Sequence, residues 1–137
     1  MTERPILLDT HTVLWAVRGE LSLHAAELLD GASARAVPVL ISPISAWEVG
    51  MLVARGRVAL PVSPADWFDE ALATGLAWAP LTPQVLIEAS FLPGRIQGDP
   101  ADRILAATAR ACGYRLMTRD SALLAYAEAG HLQALAC

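Results

Sequence analysis

Short apolar runs alternate with stretches of helical periodicity along the chain, and this alternation constrains the fold more than any other feature. Runs of this length between turn residues are typical of buried strands, whereas apolar spacing of three and four residues is typical of helices. The order predicts one α/β domain over residues 1–137, with a four- or five-stranded, mostly parallel sheet and helices on both faces. The predicted strands are residues 6–8, 37–41, 77–79, 114–118 and, as an edge strand, 133–135.

A capping side chain followed by proline predicts the start of four helices. Ser, Thr and Asp are preferred N-caps, and proline is well suited to the first helical position. The four pairs predict helices over 43–54, 64–76, 83–91 and 100–112, and periodicity predicts others over 10–17, 21–29 and 121–129. The cap–proline pairs are Ser42-Pro43, Ser63-Pro64, Thr82-Pro83 and Asp99-Pro100.

Composition places the chain among well-packed globular proteins, with 55% hydrophobic and 18% charged residues. The start has no basic segment followed by an apolar one, so we expect no signal peptide. The two cysteines fit neither a disulfide framework nor a zinc site. A cytoplasmic protein with reduced thiols is therefore expected, in which Cys112 is a small core residue.

Five acidic residues are placed where they can meet at one edge of the predicted sheet. Two follow strands, two lie in the first turn of a helix, and one lies two turns into the helix after the second strand. In open parallel sheets, ligands bind beyond the carboxyl ends of the strands. Clustered carboxylates repel one another unless a cation joins them, and oxygen ligands alone favour Mg²⁺ or Mn²⁺, which suits phosphodiester hydrolysis. The acids are Asp9, Glu48, Asp99, Asp102 and Asp120.

Each acid also has a structural explanation. Asp9, Asp99 and Asp120 can cap the helices that follow them, and Asp102 can complete a capping box with Asp99. Glu48 is harder to explain, because helical spacing puts it on the apolar stripe of Ile44, Trp47, Met51 and Leu52. A carboxylate facing the core needs a partner, which is either an arginine or a metal ion.

Other polar and aromatic side chains near the acids leave alternatives open. Arg103 and Arg119 either neutralise the neighbouring carboxylates or bind the scissile phosphate. Thr118 either caps locally or hydrogen-bonds a water molecule bound to the metal. His11 is expected at the surface of the first helix. The tryptophans are more often core or interface residues than base-stacking groups; they are Trp15, Trp47, Trp67 and Trp78.

Four segments carry the acids in a recognisable order: LLDTHTVLW at 7–15, ISAWEVG at 44–50, GDPADRILAAT at 98–108 and LMTRD at 116–120. They resemble the motifs of the PIN-domain family, in particular the VapC toxins of bacterial toxin–antitoxin pairs. The resemblance implies a PIN-like three-layer fold and a Mg²⁺- or Mn²⁺-dependent endoribonuclease. It also implies a cognate antitoxin and commonly a homodimer.

By this resemblance Asp9, Glu48 and Asp102 match the core acids, Asp120 the less uniform fourth acid, and Asp99 an extra acid of one subgroup. Family members often carry lysine near the second motif, whereas this chain has none.

Two alternative functions remain. A phosphatase of the haloacid-dehalogenase type is disfavoured because it needs a lysine and a second acid where His11 stands. A non-catalytic PIN-like scaffold that binds RNA or protein would be expected to lose one or more acids. The net charge of −4 argues only mildly against nucleic-acid binding.

Overall fold

A computed structural model describes residues 3–96 and 98–137. Strands and helices alternate through most of the chain. The strands are β1 (Ile6–Leu8), β2 (Val39–Ile41), β3 (Ala77–Trp78), β4 (Arg115–Thr118) and β5 (Ala134–Ala136). The helices are α1 (Thr10–Arg18), α2 (Leu23–Ala34), α3 (Pro43–Ala54), α4 (Pro64–Ala73), α5 (Pro83–Glu88), α6 (Pro100–Cys112) and α7 (Ser121–Glu128).

The five strands form one sheet in the order β3-β2-β1-β4-β5, and every neighbouring pair is parallel. The predicted α/β class is therefore confirmed. Strand β1 is central, with Leu7 paired to Leu40 on one side and to Leu116 on the other. The strand order reverses between β1 and β4, and ligand sites in open α/β sheets lie outside the carboxyl ends at such a reversal.

Side chains of β1 alternate between two cores on opposite faces of the sheet. Ile6 and Leu8 pack into the cluster that contains Val13 of α1 and Trp67 of α4. Leu7 packs into the other cluster, which contains residues of α6 and α7 such as Leu105, Leu123 and Tyr126. Because both faces are covered there, β1 and β2 are apolar and buried at every position, which is why the sequence shows them as continuous apolar runs.

Several predicted boundaries were wrong by a few residues. Helix α4 ends at Ala73 rather than 76, because Thr74 caps it and Gly75 follows with φ 111°. Helix α5 ends at Glu88 and α2 runs from Leu23 to Ala34. The second strand begins at Val39 rather than 37.

Among helices in the described residues, none is long and apolar enough to cross a membrane.

Two predicted packing positions were also wrong. Cys112 is exposed at the end of α6 rather than buried, and both cysteines are free thiols. On α3 the buried positions are Ser45 and Val49, whereas Trp47 of the predicted apolar stripe is 57% exposed. The helix is apolar almost all round, so periodicity alone could not determine which side faces the core.

Candidate active site

The site begins at the ends of the two central strands. Asp9 directly follows β1 and is 8% exposed. Its Oδ1 accepts a hydrogen bond from the Thr10 N–H at 2.7 Å, and its Oδ2 accepts one from the Thr118 hydroxyl, at the end of β4, at 2.8 Å. Thr118 Oγ1 in turn accepts from the Asp120 N–H at 3.0 Å. These bonds join the carboxyl ends of β1 and β4 and orient Asp9.

Glu48 is held by a chain of buried hydroxyl groups. The Thr10 hydroxyl donates to Glu48 Oε1, and Thr10 Oγ1 lies 2.9 Å from Ser45 Oγ. Because Thr10 has one hydroxyl proton, which goes to Glu48, Ser45 is the donor to Thr10. Sequence reasoning missed Thr10 and Ser45. Hydroxyls on helix faces that pack inward need partners, and this requirement is the signal that could have revealed them.

The remaining acids begin helices α6 and α7. Asp99 is the N-cap of α6, and its Oδ1 accepts from the Asp102 N–H at 2.9 Å. Asp120 is the N-cap of α7, and its Oδ2 accepts from the Leu123 N–H at 2.9 Å. Capping is therefore a real role for both residues. It leaves one oxygen of each carboxylate outside the capping bond.

All five predicted acids line one cleft of about 360 Å³ at the carboxyl edge of the sheet. The predicted convergence of residues distant in sequence is thus what the structure shows. The cleft lining also includes His11, Trp15 and Arg119. His11 is exposed, as expected from its position on α1, but it faces the acids rather than open surface.

Burial and repulsion from neighbouring carboxylates raise the pKa values of Asp9, Glu48 and Asp102. Burial is the main cause that raises the pKa of Asp9 and of Glu48, and hydrogen bonds from Thr118 and Thr10 partly oppose it. The pKa of Asp102 rises to about 7, first through burial and then through the negative charges of Asp99, Asp9, Asp120 and Glu48. A cation in the cleft would remove the repulsion that these shifts reflect.

The donor set suits a hard divalent cation, since every candidate ligand is a carboxylate. Within residues 3–96 and 98–137, however, no three His, Cys, Asp or Glu side chains are already arranged to hold a metal ion. The acids share a cleft without forming a finished coordination site. The five residues therefore fit Mg²⁺ by the chemistry of their carboxylate oxygens rather than by preformed geometry.

The two predicted arginines lie in different places. The Arg119 guanidinium lies over the Trp15 ring, with Cζ 3.8 Å from the ring centroid, and its Nη2 donates to the Cys137 carbonyl at 2.8 Å. Arg103 Nε donates to the Ala89 carbonyl at 2.9 Å, and this residue does not line the cleft. For the described part of the chain, the ion pairs are those of Glu3 with Arg35 and Arg115. Neither Arg103 nor Arg119 thus forms an ion pair with its acidic neighbours in the described structure.

Residues 6–129 match the PIN domain family, a stretch that includes all five acids. The chain belongs to the PIN-domain family. This PIN domain is 35% identical to Ribonuclease VapC22 of Mycobacterium tuberculosis over 120 residues, which cover 86% of this chain and 88% of that protein. The predicted family resemblance is confirmed.

Solved structures share the fold at low sequence identity. VapBC2 from Rickettsia felis, bound to a DNA fragment from the promoter, aligns with a TM-score of 0.66 at 15% identity over 96% of this PIN domain and 97% of that chain. FitAcB from Neisseria gonorrhoeae aligns with a TM-score of 0.57 at 20% identity over 95% and 96% of the two chains. At these identities the likeness establishes the fold.

Proposed function

We propose that this PIN domain is a Mg²⁺- or Mn²⁺-dependent endoribonuclease and the toxin of a type II toxin–antitoxin pair. The observation that carries the proposal is the single cleft that brings five carboxylates together at the reversal of strand order. The 35% identity to a ribonuclease supports RNA as the substrate. The intact set of acids favours an enzyme over a scaffold, and the family match disfavours the phosphatase alternative.

In this proposal Asp9, Glu48 and Asp102 hold the metal ion, with Asp99 and Asp120 as further ligands. The bound ion supplies the charge that acidifies water and stabilises the phosphate in the transition state. Thr118 orients Asp9 by its hydrogen bond to Oδ2. Arg119 contacts the substrate phosphate, because its guanidinium faces the cleft without an acidic partner in the described structure.

The proposed partner is an antitoxin protein, which would occlude the cleft. The similar folds come from VapBC and FitAB structures, two of which contain DNA. A homodimer, a toxin–antitoxin hetero-oligomer and a cytoplasmic location complete the proposal.

Cleavage of RNA by the purified protein with and without divalent ions tests the proposal. We expect cleavage with Mg²⁺ or Mn²⁺ and none in EDTA. Asp9→Asn should lower kcat/KM more than about 100-fold, since disturbing only the groups behind metal ligands costs 10–100-fold. Asp69→Asn, an exposed acid of α4 outside the cleft, is the matched control and should leave cleavage unchanged. Undiminished cleavage in EDTA would overturn the mechanism.

A further inference from the structure

One wall of the acidic cleft consists of flat side chains. His11 and Trp15 lie one turn apart on α1, with ring centroids 5.8 Å apart and planes tilted by 39°. The Arg119 guanidinium lies over the Trp15 ring, with Cζ 3.8 Å from the ring centroid. We call these three residues the planar wall. All three line the same cleft as the acids, and His11 and Arg119 are exposed there.

The planar wall is held by contacts that do not involve the acids. Arg119 donates to the Cys137 carbonyl and its Cζ lies over the Trp15 ring, although five carboxylates line the same cleft. Arg119 is nevertheless exposed and lines the cleft, so its guanidinium is accessible to a ligand bound there. A planar guanidinium can stack on another flat group, a use for which arginine is better adapted than lysine.

We propose that the planar wall is a nucleobase subsite, which binds the base of an unpaired nucleotide next to the scissile phosphate. This inference rests on the proposed ribonuclease function. When a phosphate lies at the acids, the nucleotide that carries it lies in the same cleft of about 360 Å³. Apart from the acids, the cleft is lined by the three residues of the planar wall. Aromatic and guanidinium planes stack on any base, which gives affinity without strict sequence choice.

The proposed subsite favours single-stranded segments and loops over duplex RNA. Bases within a duplex are already stacked on their neighbours, whereas unpaired bases can turn outward onto a protein surface. The wall also brings positive charge to the cleft, because it includes the Arg119 guanidinium. It can therefore hold the nucleotide against the repulsion of the acids.

A double-mutant cycle between protein and RNA tests the subsite. The RNA is a single-stranded oligonucleotide that the wild-type protein cleaves, compared with copies in which one base beside the cleavage point is removed. We expect base removal at one position to lower kcat/KM about tenfold for the wild type, within the usual range for one stacked base. For Trp15→Leu the same base removal should leave kcat/KM unchanged. For Trp15→Phe, base removal should again lower kcat/KM.

Two further variants separate stacking from charge and from folding. Arg119→Lys keeps the charge but not the plane, so it should reduce base sensitivity while the salt dependence of binding persists. Trp78→Leu alters an exposed tryptophan outside the cleft and should retain full base sensitivity. The same comparisons by fluorescence anisotropy, with every variant combined with Asp9→Asn, measure binding without cleavage.

Equal sensitivity to base removal in the wild type, Trp15→Leu and Arg119→Lys would overturn the subsite while the ribonuclease proposal stood. Failure of the wild type to bind or cleave any RNA with Mg²⁺ would overturn both.

Discussion

At the scale of single residues, the site depends on hydroxyl groups as much as on acids. Thr10 is 1% exposed and Ser45 is 0% exposed, and the Thr10 hydroxyl on α1 bonds to both Ser45 and Glu48 on α3. The Thr118 hydroxyl, at the end of β4, likewise donates a hydrogen bond to Asp9. A hydrogen bond to the ionised carboxylate favours its charged form, which partly offsets burial and keeps these acids available as ligands.

Thr10→Val tests this role, because valine preserves shape but removes the donor. We expect Mg²⁺ affinity to fall 10–100-fold, as for other groups that orient ligands, and the free energy of unfolding to fall by about 1–3 kcal/mol. Thr10→Ser should restore most of the affinity. Calorimetric Mg²⁺ titration and urea denaturation measure the two effects.

The matched control is Thr108→Val on α6. Thr108 is equally buried, but its hydroxyl donates to the Ile104 carbonyl at 2.8 Å within the helix. The Thr108→Val variant should have a lower free energy of unfolding but the same Mg²⁺ affinity as the wild type. Wild-type affinity in Thr10→Val would show that the hydroxyl chain does not position Glu48.

At the scale of elements, helices α6 and α7 each begin with an acid that both caps the helix and faces the cleft. Gly98 permits this arrangement at α6, because a methyl group there would lie 2.7 Å from Asp102 Cβ. In the proposed site, helix capping and metal binding therefore depend on the same two carboxyl groups. Replacement by alanine removes both roles at once, so separate variants are needed.

Asp99→Asn separates the roles, since asparagine caps as well as aspartate but lacks the charge. If Asp99 is a ligand, Asp99→Asn should bind Mg²⁺ at least several-fold more weakly and be no less stable in EDTA than the wild type. Asp99→Ala should also lose about 1 kcal/mol of stability through the missing cap. Chemical denaturation with and without Mg²⁺ measures both. Unchanged Mg²⁺ affinity in Asp99→Asn would assign this residue to capping alone.

At the scale of the whole molecule, the charge distribution sets the conditions under which the fold is stable. Five of the acids lie in one cleft with a single arginine, whereas the chain as a whole has a net charge of −4. Repulsion in the cleft is a cost of folding that the unfolded chain does not have. A bound cation would remove much of it.

Stability without metal should therefore fall as pH rises. The pKa of Asp102 is raised from 3.8 to about 7, so between these values the folded protein retains a proton that the unfolded chain has lost. Raising pH through this range lowers the free energy of unfolding. In EDTA we expect Tm to decrease from pH 5 to pH 8, and Asp102→Asn should flatten the decrease.

Mg²⁺ should raise Tm, and more at pH 8 than at pH 5, because protons compete for the ligands. A Mg²⁺ concentration 100 times the Kd should raise the free energy of unfolding by about 2.7 kcal/mol. Thermal denaturation in EDTA and in millimolar MgCl₂ tests this expectation. Identical melting curves at pH 8 would contradict a metal site in the cleft.

Local interactions made much of the fold predictable. Helix α6 was predicted at both ends, because the Asp99 cap, the following proline and the terminal Gly113 act within one turn of the chain. The buried strands were recognisable as apolar runs, and the parallel order brought all five acids to one edge. The face of α3 was not predictable, because its apolar residues surround the helix.

The sequence by itself determined the class of fold, the family and the five carboxylates, since these follow from caps, apolar runs and motifs that are local in the chain. Only the tertiary structure decided that Arg119 faces the cleft while Arg103 bonds to Ala89. It also decided that Thr10 donates to Glu48 across 38 residues. Such contacts depend on how one helix is rotated and placed against another, which nearest neighbours in sequence do not specify.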